Sequence, residues 1–572
     1  MAEISVVRLK FNEYEEQKKM NIYGNEILLI CMTQISAWFL TLAADRLVKP
    51  YPGTPLRNPK AALVHFFLSS CFFYSVLLVS GRIVFTAAGL LGIYLLLVFV
   101  SNAKYRSLRE PVVFSDYDYI SDAFRFPRLY FPYLGAKGTA GAVCSLVLAG
   151  CAFYFEPLKK VFSMSDPAVY WCIANMLASL TVLFISAGKF RPVIFKPVQD
   201  LQQFGLLLCL WFYFTGYLKK PEAESPFSSL MNRENDSSPD QANTGSAKRP
   251  HLIAVQSESF FDPRNWNRNI RYGILKNYDL ISAESEMHGS LHVPAWGANT
   301  VRTEFSFLTG VAPEKMKAHQ FSPYQICARN FEIGSIVAFL KSSGYRTVCI
   351  HPYDSGFYNR NVIFRKWGFD EFIDIEHFSD DHKAGPYISD LALADCALEV
   401  LSQQKAGNKP LFMFIITMEN HGPLSLENIE KQEYRSYFND IAPVLKDRME
   451  FYRKYRDLAV YLRHLAGCDL MLKKITEALD GEGETASLVF YGDHIPIMPE
   501  LYESDGNPDG TVPYFIWNSR RLKESIACGY RADACSEKTG EIKENSRIHG
   551  IEDLALNWLK LCSLINDHHD RK

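Results

Sequence analysis

The chain has 572 residues and a net charge of −2 at pH 7, from 61 basic and 63 acidic side chains. This length allows two or three domains, and a charge near zero argues against a nucleic-acid partner, for which a basic surface is expected. The hydrophobic content of 48% is ordinary. It is unevenly spread, because residues 1–220 hold long apolar runs whereas residues 251–572 have the mixed composition of a water-soluble domain.

Six apolar runs in the first 220 residues predict membrane-spanning helices. Each is close to the ~20 residues that a membrane helix needs, although the first, fourth and last runs are short. Buried core helices are the alternative, but six successive runs without an intervening water-soluble pattern favour membrane insertion. The runs lie at residues 27–44, 61–80, 83–101, 140–156, 168–188 and 203–218.

The charges of the loops predict an orientation. Residues 45–60, 102–139 and 189–196 carry several Lys and Arg side chains, which favours the cytoplasmic side for these loops. Six spans then place residues 221–572 outside the cytoplasm. They also place the N-terminus outside, although it contains Arg8, Lys10, Lys18 and Lys19. Five spans, with one apolar run re-entrant or at the interface, would remove this conflict.

Residues 221–250 are rich in Pro, Ser, Asn and Asp, which predicts a flexible linker. The predicted organisation is therefore a transmembrane domain of five or six spans at 1–220, a linker at 221–250, and an extracytoplasmic domain at 251–572. The cysteines of this last domain form no Cys-x-x-Cys pair of the kind found in zinc sites. Cys528 and Cys535 are close enough in sequence for a disulfide.

Four short apolar runs in residues 251–572 each end at a cluster of polar residues. Such runs are typical of buried strands in a largely parallel sheet, with helical patterns between them at 333–343, 389–405 and 456–479. Ligands of open α/β sheets bind at the carboxyl ends of the strands. We therefore expect the polar residues that follow the runs to meet at one edge: Glu258, His351, His421, Asp493 and His494.

The residue types at these strand ends indicate a metal site. Any one of them is more simply explained as a turn or a helix cap, but four such endings in one domain are harder to explain in this way. Glu258, Asp493 and His494 together offer two carboxylates and an imidazole, which suits Mn²⁺, Mg²⁺ or Zn²⁺.

The segment "GANTVRTEFSFLTG" (297–310) predicts a loop that runs into a helix. A helix N-terminus offers unpaired N–H groups and the positive end of a dipole, which suits a phosphate group. The alternative is that Thr300 or Thr303 only caps the helix. This window by itself leaves both roles open.

Five segments identify a family resemblance when they are taken together and in order. The chain resembles the lipoteichoic acid synthase-like branch of the alkaline phosphatase/sulfatase superfamily, whose members are membrane-anchored phosphoglycerol transferases. The resemblance implies a multi-span α-helical membrane domain followed by an α/β alkaline phosphatase/sulfatase-like domain with a largely parallel central sheet. The segments are "QSESF" (256–260), "NTVRTEFSFLTG" (299–310), "HPYDSGFYNRNVIFRKWGFDEF" (351–372), "ITMENHGP" (416–423) and "FYGDHIP" (490–496).

The resemblance also implies residue roles. Glu258, Asp493 and His494 would bind the metal ion, which the family prefers as Mn²⁺, and Thr300 would be both ligand and nucleophile. The phosphoglycerol group would be handled by His351, Tyr358, Arg360 and His421. Tyr358 stands where the best-known members have tryptophan, which leaves the recognition of the head group open. The sequence contains neither the Cys-x-Pro-x-Arg nor the Ser-x-Pro-x-Arg motif of classical sulfatases, which argues against sulfate ester hydrolysis.

The proposed residues also make chemical sense without the resemblance. A threonine hydroxyl is a poor nucleophile until a base or a metal lowers its pKa, and a divalent ion could also neutralise phosphoryl charge. Arg360 could hold two phosphate oxygens. His351 or His421 could protonate the leaving alkoxide and then deprotonate the acceptor. These roles favour Thr300 as the nucleophile over Thr300 as a cap.

The sequence therefore predicts a metal-dependent transfer of phosphoglycerol from phosphatidylglycerol to a hydroxyl of an extracytoplasmic glycan or polymer, through a covalent intermediate on Thr300. Phosphoethanolamine transfer and phosphodiester hydrolysis are the alternatives, since the same metal and threonine would serve. The predicted location is the inner (cytoplasmic) membrane, in which the protein is embedded by several spans. The catalytic domain is expected to be periplasmic or extracellular.

Overall fold

The chain divides into two structural units. The helical unit contains Met1–Tyr119 and Tyr130–Lys219, and the sheet unit contains Ile120–Leu129 and Lys220–Lys572. The predicted pairing of Cys528 with Cys535 lies outside the described residues. The structure, a computed structural model, describes the whole chain except residues 1, 52–58, 131, 133–134, 157–165, 188–193, 237–248, 330, 405–408, 442–444, 482–484, 534–547 and 566–572.

Most of the chain before residue 220 is helical. Its helices are α1 (Ala2–Ala44), α2 (Pro59–Ser80), α3 (Ile83–Leu108), α4 (Ile120–Arg125), α5 (Pro127–Tyr130), α6 (Ala136–Phe155), α7 (Pro167–Ala187), α8 (Pro197–Phe204) and α9 (Leu206–Tyr217). Four helical stretches in the described residues are long and apolar enough to cross a membrane: Tyr23–Leu47, Pro59–Ser80, Ile83–Leu108 and Pro167–Ser186. The predicted multi-span helical region is thereby confirmed.

The sixth predicted span, at 203–218, is shorter in the structure than in the prediction. Gly205 has a φ of 86° and separates α8 from α9, so the apolar helix covers only Leu206–Tyr217. At 1.5 Å per residue this helix is about 18 Å long. The hydrocarbon core of a bilayer is ~30 Å thick, so α9 is too short to cross it unaided.

The loop between α3 and α6 contradicts the orientation predicted from loop charge. Residues Ile120–Leu129 belong to the sheet unit, where the ring of Phe126 packs against Tyr353 and Phe357 at centroid distances of 5.7 and 5.2 Å. Segments in contact lie on the same side of a membrane, so Ile120–Leu129 and the segment of Tyr353 and Phe357 cannot lie on opposite sides.

Part of the positive charge of this loop is paired with acidic side chains. The ammonium group of Lys104 lies 2.6 Å from the Glu110 carboxylate and 2.7 Å from that of Asp116, and all three side chains are largely buried. The prediction counted the Lys and Arg side chains of the loops and took no account of such pairing.

The predicted flexible linker is also wrong for its first half. Residues Pro226–Asp236 form helix α10, and the Phe227 ring is fully buried beside Phe339 in the core of the sheet unit. The Ser225 hydroxyl donates a hydrogen bond to the carbonyl oxygen of Thr309 at 2.7 Å. The buried ring of Phe227 fixes this otherwise polar segment to the core. A prediction from overall composition overlooks a single apolar residue of this kind. Residues 237–248 lie outside the described residues.

The sheet unit is built on a seven-stranded, mostly parallel sheet. Its strands stand in the order β2-β9-β8-β1-β7-β3-β4; pairs that involve β9 are antiparallel and the others are parallel. The strands are β1 (His251–Ser257), β2 (Met287–His292), β3 (Arg346–Ile350), β4 (Glu371–Ile373), β5 (Lys383–Ala384), β6 (Tyr387–Ile388), β7 (Leu411–Ile416), β8 (Ala486–Gly492) and β9 (Thr511–Asn518), of which β5 and β6 form a separate pair.

Helices cover both faces of this sheet. Along β1, Ile253 and Val255 point into one hydrophobic core while Leu252 and Ala254 point into the other. This explains why the central strands read as continuous apolar runs instead of alternating ones. The helices are α11 (Lys276–Ala283), α12 (Thr300–Thr309), α13 (Pro323–Arg329), α14 (Ile336–Ser342), α15 (Arg360–Trp367), α16 (Asp390–Gln404), α17 (Tyr434–Tyr437), α18 (Leu445–Lys454), α19 (Arg456–Gly481), α20 (Pro499–Asp505), α21 (Arg520–Asp533) and α22 (Ile551–Leu561).

The four predicted strands are confirmed as β1, β3, β7 and β8, which are neighbours in the sheet. The predicted helices at 333–343, 389–405 and 456–479 are confirmed as α14, α16 and α19, with ends that differ by a few residues. The fold class predicted from the sequence is therefore confirmed. Its consequence is that the carboxyl ends of four adjacent parallel strands lie along one edge.

Candidate active site

Three ligand groups converge beyond the ends of the central strands β1 and β8. Glu258 follows β1, and Asp493 with His494 follows β8. One ligand atom of each lies within 4.8 Å of the others, and all three residues are buried. The His494 Nε2 atom lies 3.6 Å from Glu258 Oε1 and 3.4 Å from Asp493 Oδ2. The prediction that Glu258, Asp493 and His494 lie close together is therefore confirmed.

The donor atoms of the cluster suit a divalent cation. Asp493 Oδ2 and His494 Nε2 are buried and have no hydrogen-bond partner, and buried polar atoms are rarely left in this state. The His494 Nδ1 atom lies 3.2 Å from the carbonyl oxygen of Ile495, so Nδ1 carries the proton and Nε2 keeps a lone pair. Two carboxylates and a neutral imidazole are ligands that Mn²⁺, Mg²⁺ and Zn²⁺ accept.

The electrostatics of the cluster point the same way. Burial, and then the charge of Asp493, raise the pKa of Glu258. Burial raises the pKa of Asp493 to about 7 and lowers the pKa of His494. All three shifts oppose the charged forms, as expected when ionisable groups are buried together without an external counter-charge. A bound dication would supply that charge.

Backbone and hydroxyl groups hold the ligands in place. The Ser259 N–H donates to Asp493 Oδ1 at 2.7 Å, and the Ser259 hydroxyl donates to Glu258 Oε1 at 2.8 Å. The Glu258 N–H donates to the Thr417 hydroxyl at 3.0 Å. Gly492 is required beside them, because a Cβ there would lie 2.0 Å from the carbonyl oxygen of Phe260. Such outer contacts orient metal ligands.

Thr300 is the first residue of α12, and its hydroxyl faces the ligand cluster. Its Oγ1 donates to Glu258 Oε2 at 3.4 Å. The residue at the cap position is Asn299, and no side chain caps this helix. The hydroxyl of Thr303 instead donates to the carbonyl oxygen of Asp493 at 2.8 Å and is fully buried. The capping alternative for Thr300 is therefore wrong, and Thr303 serves as an anchor of the helix.

Left-handed backbone conformations occur beside several of the site residues. Ser259 has a φ of 53°, Asn299 of 69°, Tyr358 of 60° and Asn359 of 61°. Non-glycine residues in this region cost of order 1–3 kcal/mol each and cluster at functional sites. These residues adjoin Glu258, Thr300 and Arg360. The strained backbone conformations therefore lie at the same edge of the sheet as the strand ends that carry the candidate site residues.

Arg360 and His351 form a second part of the site. Arg360 donates from Nε and Nη2 to the carboxylate of Glu304, and from Nη1 to His351 Nε2 at 3.1 Å. The sequence predicted a bidentate contact of Arg360 with phosphate; in the structure the bidentate partner is Glu304. These contacts use three of the five N–H donors of a guanidinium. The Tyr358 ring lies 5.3 Å from the guanidinium carbon.

The environment of His351 disfavours a proton-transfer role. Burial, and then the adjacent positive charge of Arg360, lower the pKa of His351 well below its ordinary value. Its Nδ1 lies 3.2 Å from the carbonyl oxygen of Ile416, and its Nε2 faces Arg360. Both nitrogens of the neutral ring are therefore already engaged.

His421 is better placed for proton transfer. It is partly exposed, and its Nδ1 lies 2.7 Å from the carbonyl oxygen of Gly422, which fixes one proton on Nδ1 and leaves Nε2 as the atom that can give or take a second proton. Its charge acts on both Glu258 and His494, which places it near the ligand cluster. The structure thus separates two histidines that the sequence treated alike.

The sequence analysis missed Glu304 and Ser259. Glu304 is a charged residue within the run "EFSFL", and a charge inside an apolar stretch of a helix is a signal of a buried partner. Ser259 lies within "QSESF", where its residue type does not mark it, because it holds a ligand and is not one. Both signals were present in the sequence, but their partners could not be named from it.

Curated relatives share parts of this chain. A Capsular polysaccharide biosynthesis protein, RkpI, of Rhizobium meliloti (strain 1021) is 26% identical over 466 residues, which is 77% of this chain and 78% of that protein. The Lipoteichoic acid synthase-like YvgJ of Bacillus subtilis (strain 168) is 28% identical over 160 residues, which is 28% of this chain and 23% of that protein. The predicted resemblance to this branch is therefore confirmed.

A solved structure shares the architecture. The integral membrane protein lipooligosaccharide phosphoethanolamine transferase A (EptA) of Neisseria meningitidis covers 94% of this chain and 94% of its own, with a TM-score of 0.53 and 13% identity. At this identity the likeness shows the fold alone. The family model described as Sulfatase matches residues 250–562, more than half of the 572 residues. The chain therefore belongs to the sulfatase family of enzymes.

Proposed function

We propose that the protein transfers phosphoglycerol from phosphatidylglycerol to a hydroxyl of an extracytoplasmic glycan or polymer. The observation that carries the proposal is the Thr300 hydroxyl, which points at Glu258 within a cluster of metal-ligand type. A nucleophilic hydroxyl beside such a cluster is the arrangement that phosphoryl transfer needs. The names of the relatives, a capsular polysaccharide biosynthesis protein and a lipoteichoic acid synthase-like protein, support a polymer acceptor.

The metal ion of this proposal would be held by Glu258, Asp493 and His494, with Thr300 as a further ligand. We propose Mn²⁺, and the same donor set accepts Mg²⁺ or Zn²⁺. When bound, a divalent ion lowers the pKa of a neighbouring hydroxyl and offsets negative charge on the phosphoryl group.

In the first step, the Thr300 Oγ1 atom attacks phosphorus and the bond between phosphorus and the diacylglycerol oxygen breaks. The hydroxyl proton passes to Glu258, whose Oε2 already accepts its hydrogen bond. His421 gives a proton to the leaving alkoxide, and diacylglycerol departs. The product is a phosphodiester that joins Thr300 to glycerol.

In the second step, an acceptor hydroxyl attacks the same phosphorus. His421 takes the acceptor proton, the bond between phosphorus and Thr300 breaks, and Thr300 regains the proton held by Glu258. Arg360 would contact phosphoryl oxygens through the donors that Glu304 and His351 leave unused, and Tyr358 would line the head-group side. His351 contributes by holding Arg360.

Substitution of Thr300 tests the nucleophile. Thr300→Ala should abolish turnover, and Thr300→Ser should retain part of it because the hydroxyl remains. Thr309→Val is a matched control, since its hydroxyl bonds only to the carbonyl oxygen of Phe305 in the same helix. Peptide mass after addition of donor without acceptor should show a glycerophosphate adduct on Thr300. An active Thr300→Ala enzyme would refute the mechanism.

The choice of donor separates this proposal from its alternatives. Diacylglycerol release should be far faster from phosphatidylglycerol than from phosphatidylethanolamine, because a head group with hydroxyls and no amine suits Tyr358 and Arg360. A preference for phosphatidylethanolamine would support a phosphoethanolamine transferase. Release of free glycerophosphate in the presence of every acceptor tested would support a phosphodiester hydrolase.

We also propose that the protein lies in the inner (cytoplasmic) membrane with five spans and an extracytoplasmic catalytic domain. Five crossings by α1, α2, α3, α6 and α7 place the basic N-terminus in the cytoplasm, as the positive-inside tendency favours, and the sheet unit outside. The basic loops at 45–60, 102–139 and 189–196 then lie outside, against that tendency. Protease added from outside should cut first within 221–250, beyond α10. Cutting only after the cytoplasmic face is opened would refute this orientation.

A further inference from the structure

A buried ion pair joins the helix of the proposed nucleophile to Arg360. The Glu304 carboxylate accepts from Arg360 Nη2 at 2.9 Å and from Nε at 3.1 and 3.2 Å. The side chains are 0% and 2% exposed, respectively. An arginine in a bidentate contact of this kind is fixed in both distance and plane. The pair therefore sets where the guanidinium lies.

Further contacts satisfy the Glu304 carboxylate from other elements. The Tyr324 hydroxyl donates to Oε1 at 2.6 Å, and the side-chain amide of Gln256 approaches Oε2 at 3.5 Å. Gln256 is in turn held by the Tyr491 hydroxyl at 2.9 Å. Glu304 is thus anchored to two strands of the sheet and to α13. Movement of this carboxylate would carry Arg360 with it.

Glu304 and Thr300 lie on one helix, four residues apart. This spacing places two side chains on the same face, one turn from each other. The Thr303 hydroxyl fastens the same turn to the carbonyl oxygen of Asp493. One turn of α12 therefore carries the Thr300 hydroxyl, is bonded to the backbone of Asp493 through Thr303, and holds the Arg360 guanidinium through Glu304.

We infer that Glu304 is a positioning residue, which holds Arg360 at the distance from Thr300 that phosphoryl transfer requires. Glu304 touches neither the substrate nor the ligand cluster in this role. The inference rests on the proposed function, because it needs phosphorus to be attacked by Thr300. It adds a residue that neither the strand-end pattern nor the family resemblance assigned.

Glu304→Gln tests the role because it keeps the shape of the side chain and removes its charge. The assay is turnover of bis(p-nitrophenyl) phosphate with Mn²⁺ by the full chain in detergent. We expect kcat to fall about 100-fold, the size of effect seen when one transition-state donor is misplaced. KM should change less than about threefold, and Mn²⁺ affinity should be unchanged. A fall in kcat without a rise in KM indicates an interaction made in the transition state.

Two further variants separate positioning from general stability. If Glu304 acts only through Arg360, Glu304→Gln combined with Arg360→Gln should be no slower than Arg360→Gln alone. Tyr324→Phe removes one donor to Glu304 without a change of charge, and should lower kcat about fivefold in a folded protein. The control is Asp279→Asn, which removes one of the two carboxylate partners of the buried Arg264, outside the site; it should leave kcat unchanged.

The outcomes distinguish this inference from the proposed function. Turnover by the parent with an unchanged kcat in Glu304→Gln would reject the positioning role alone. Additive losses in the double variant would also reject it. If Glu304→Gln does not fold, Tyr324→Phe decides, and a parent-like kcat there rejects the role. A parent that cleaves neither this diester nor a phospholipid would refute the proposed function and this inference with it.

Discussion

Two buried clusters of the sheet unit each contain two carboxyl groups and a histidine, but their histidines are in opposite electrostatic environments. The ligand cluster, Glu258, Asp493 and His494, leaves Asp493 Oδ2 and His494 Nε2 without partners. The second cluster, Glu419, Glu427 and His464, joins both ring nitrogens of His464 to carboxylates, at 3.1 Å to Glu419 and 3.0 Å to Glu427.

The pKa values of the two histidines record the difference. Burial lowers the pKa of His494. Burial also acts to lower the pKa of His464, but its hydrogen bonds to Glu419 and Glu427 outweigh burial and raise the pKa to about 9. The second cluster thus contains its own cation, whereas the ligand cluster lacks one. Glu427 Oε1 also has no hydrogen-bond partner, so the two clusters differ in the histidine: a nitrogen of His494 is unpaired, whereas both nitrogens of His464 are paired. Two carboxyl groups and a histidine therefore indicate a metal site only when a nitrogen of the histidine is left unpaired.

The largest expected effect concerns metal binding. Asp493→Asn or Glu258→Gln should weaken Mn²⁺ binding by about 100-fold or more, since even outer contacts of a metal site cost 10–100-fold. Glu427→Gln is the matched control, because it removes a carboxylate from the second cluster and should leave Mn²⁺ affinity unchanged. Calorimetric titration of the metal-stripped protein measures both. Parent-like binding by the two ligand variants would show that the assignment is wrong.

The second prediction compares the stabilities of the two histidine variants in metal-stripped protein. His464→Ala leaves two buried carboxylates without their cation and should lower the free energy of unfolding by about 3–5 kcal/mol. His494→Ala removes a ring whose Nε2 has no partner, and should cost about 1 kcal/mol. Urea unfolding gives both values. A larger loss for His494→Ala than for His464→Ala would contradict the contrast between the clusters.

The third prediction is a pH dependence of stability from His464. Its folded pKa of about 9 lies above its ordinary value of 6.5, so its contribution is fully present below pH 6.5 and is lost as pH rises through 9. The difference corresponds to about 3 kcal/mol. The melting temperature of the parent should fall between these pH values more steeply than that of His464→Gln. Parallel curves would argue against a charged His464.

The smallest expected effect concerns a hydroxyl that holds a ligand. Ser259→Ala removes the donor to Glu258 Oε1 and should weaken Mn²⁺ binding about 10-fold. Ser257→Ala is the control two residues earlier, because the hydroxyl of Ser257 lies 3.3 Å from Cys468 Sγ and does not touch a ligand. Equal Mn²⁺ affinities in both variants would mean that the hydroxyl of Ser259 does not orient Glu258.

The sequence predicted secondary structure well where a strand is marked by a continuous apolar run. Continuous apolar runs predicted β1, β3, β7 and β8, and the residues after β1 and β8 do form one cluster. This works because parallel strands bring their carboxyl ends to a common edge whatever their separation along the chain. The predictions from loop charge and from linker composition failed because a count of residue types ignores tertiary contacts. Lys104 is paired with acidic neighbours, and Phe227 is buried in a core.

The sequence by itself determined the four central parallel strands and three of the helices between them, the membrane character of the first 220 residues, and the residue types at the edge of the sheet, since these follow from hydrophobic periodicity and composition. Only the tertiary structure decided which charges meet. Glu304 and Arg360 are 56 positions apart, and His351 and His421 both follow strands, yet one faces a guanidinium and the other is partly exposed. Burial and interatomic distance set these electrostatics, and neither is a property of a local stretch of chain.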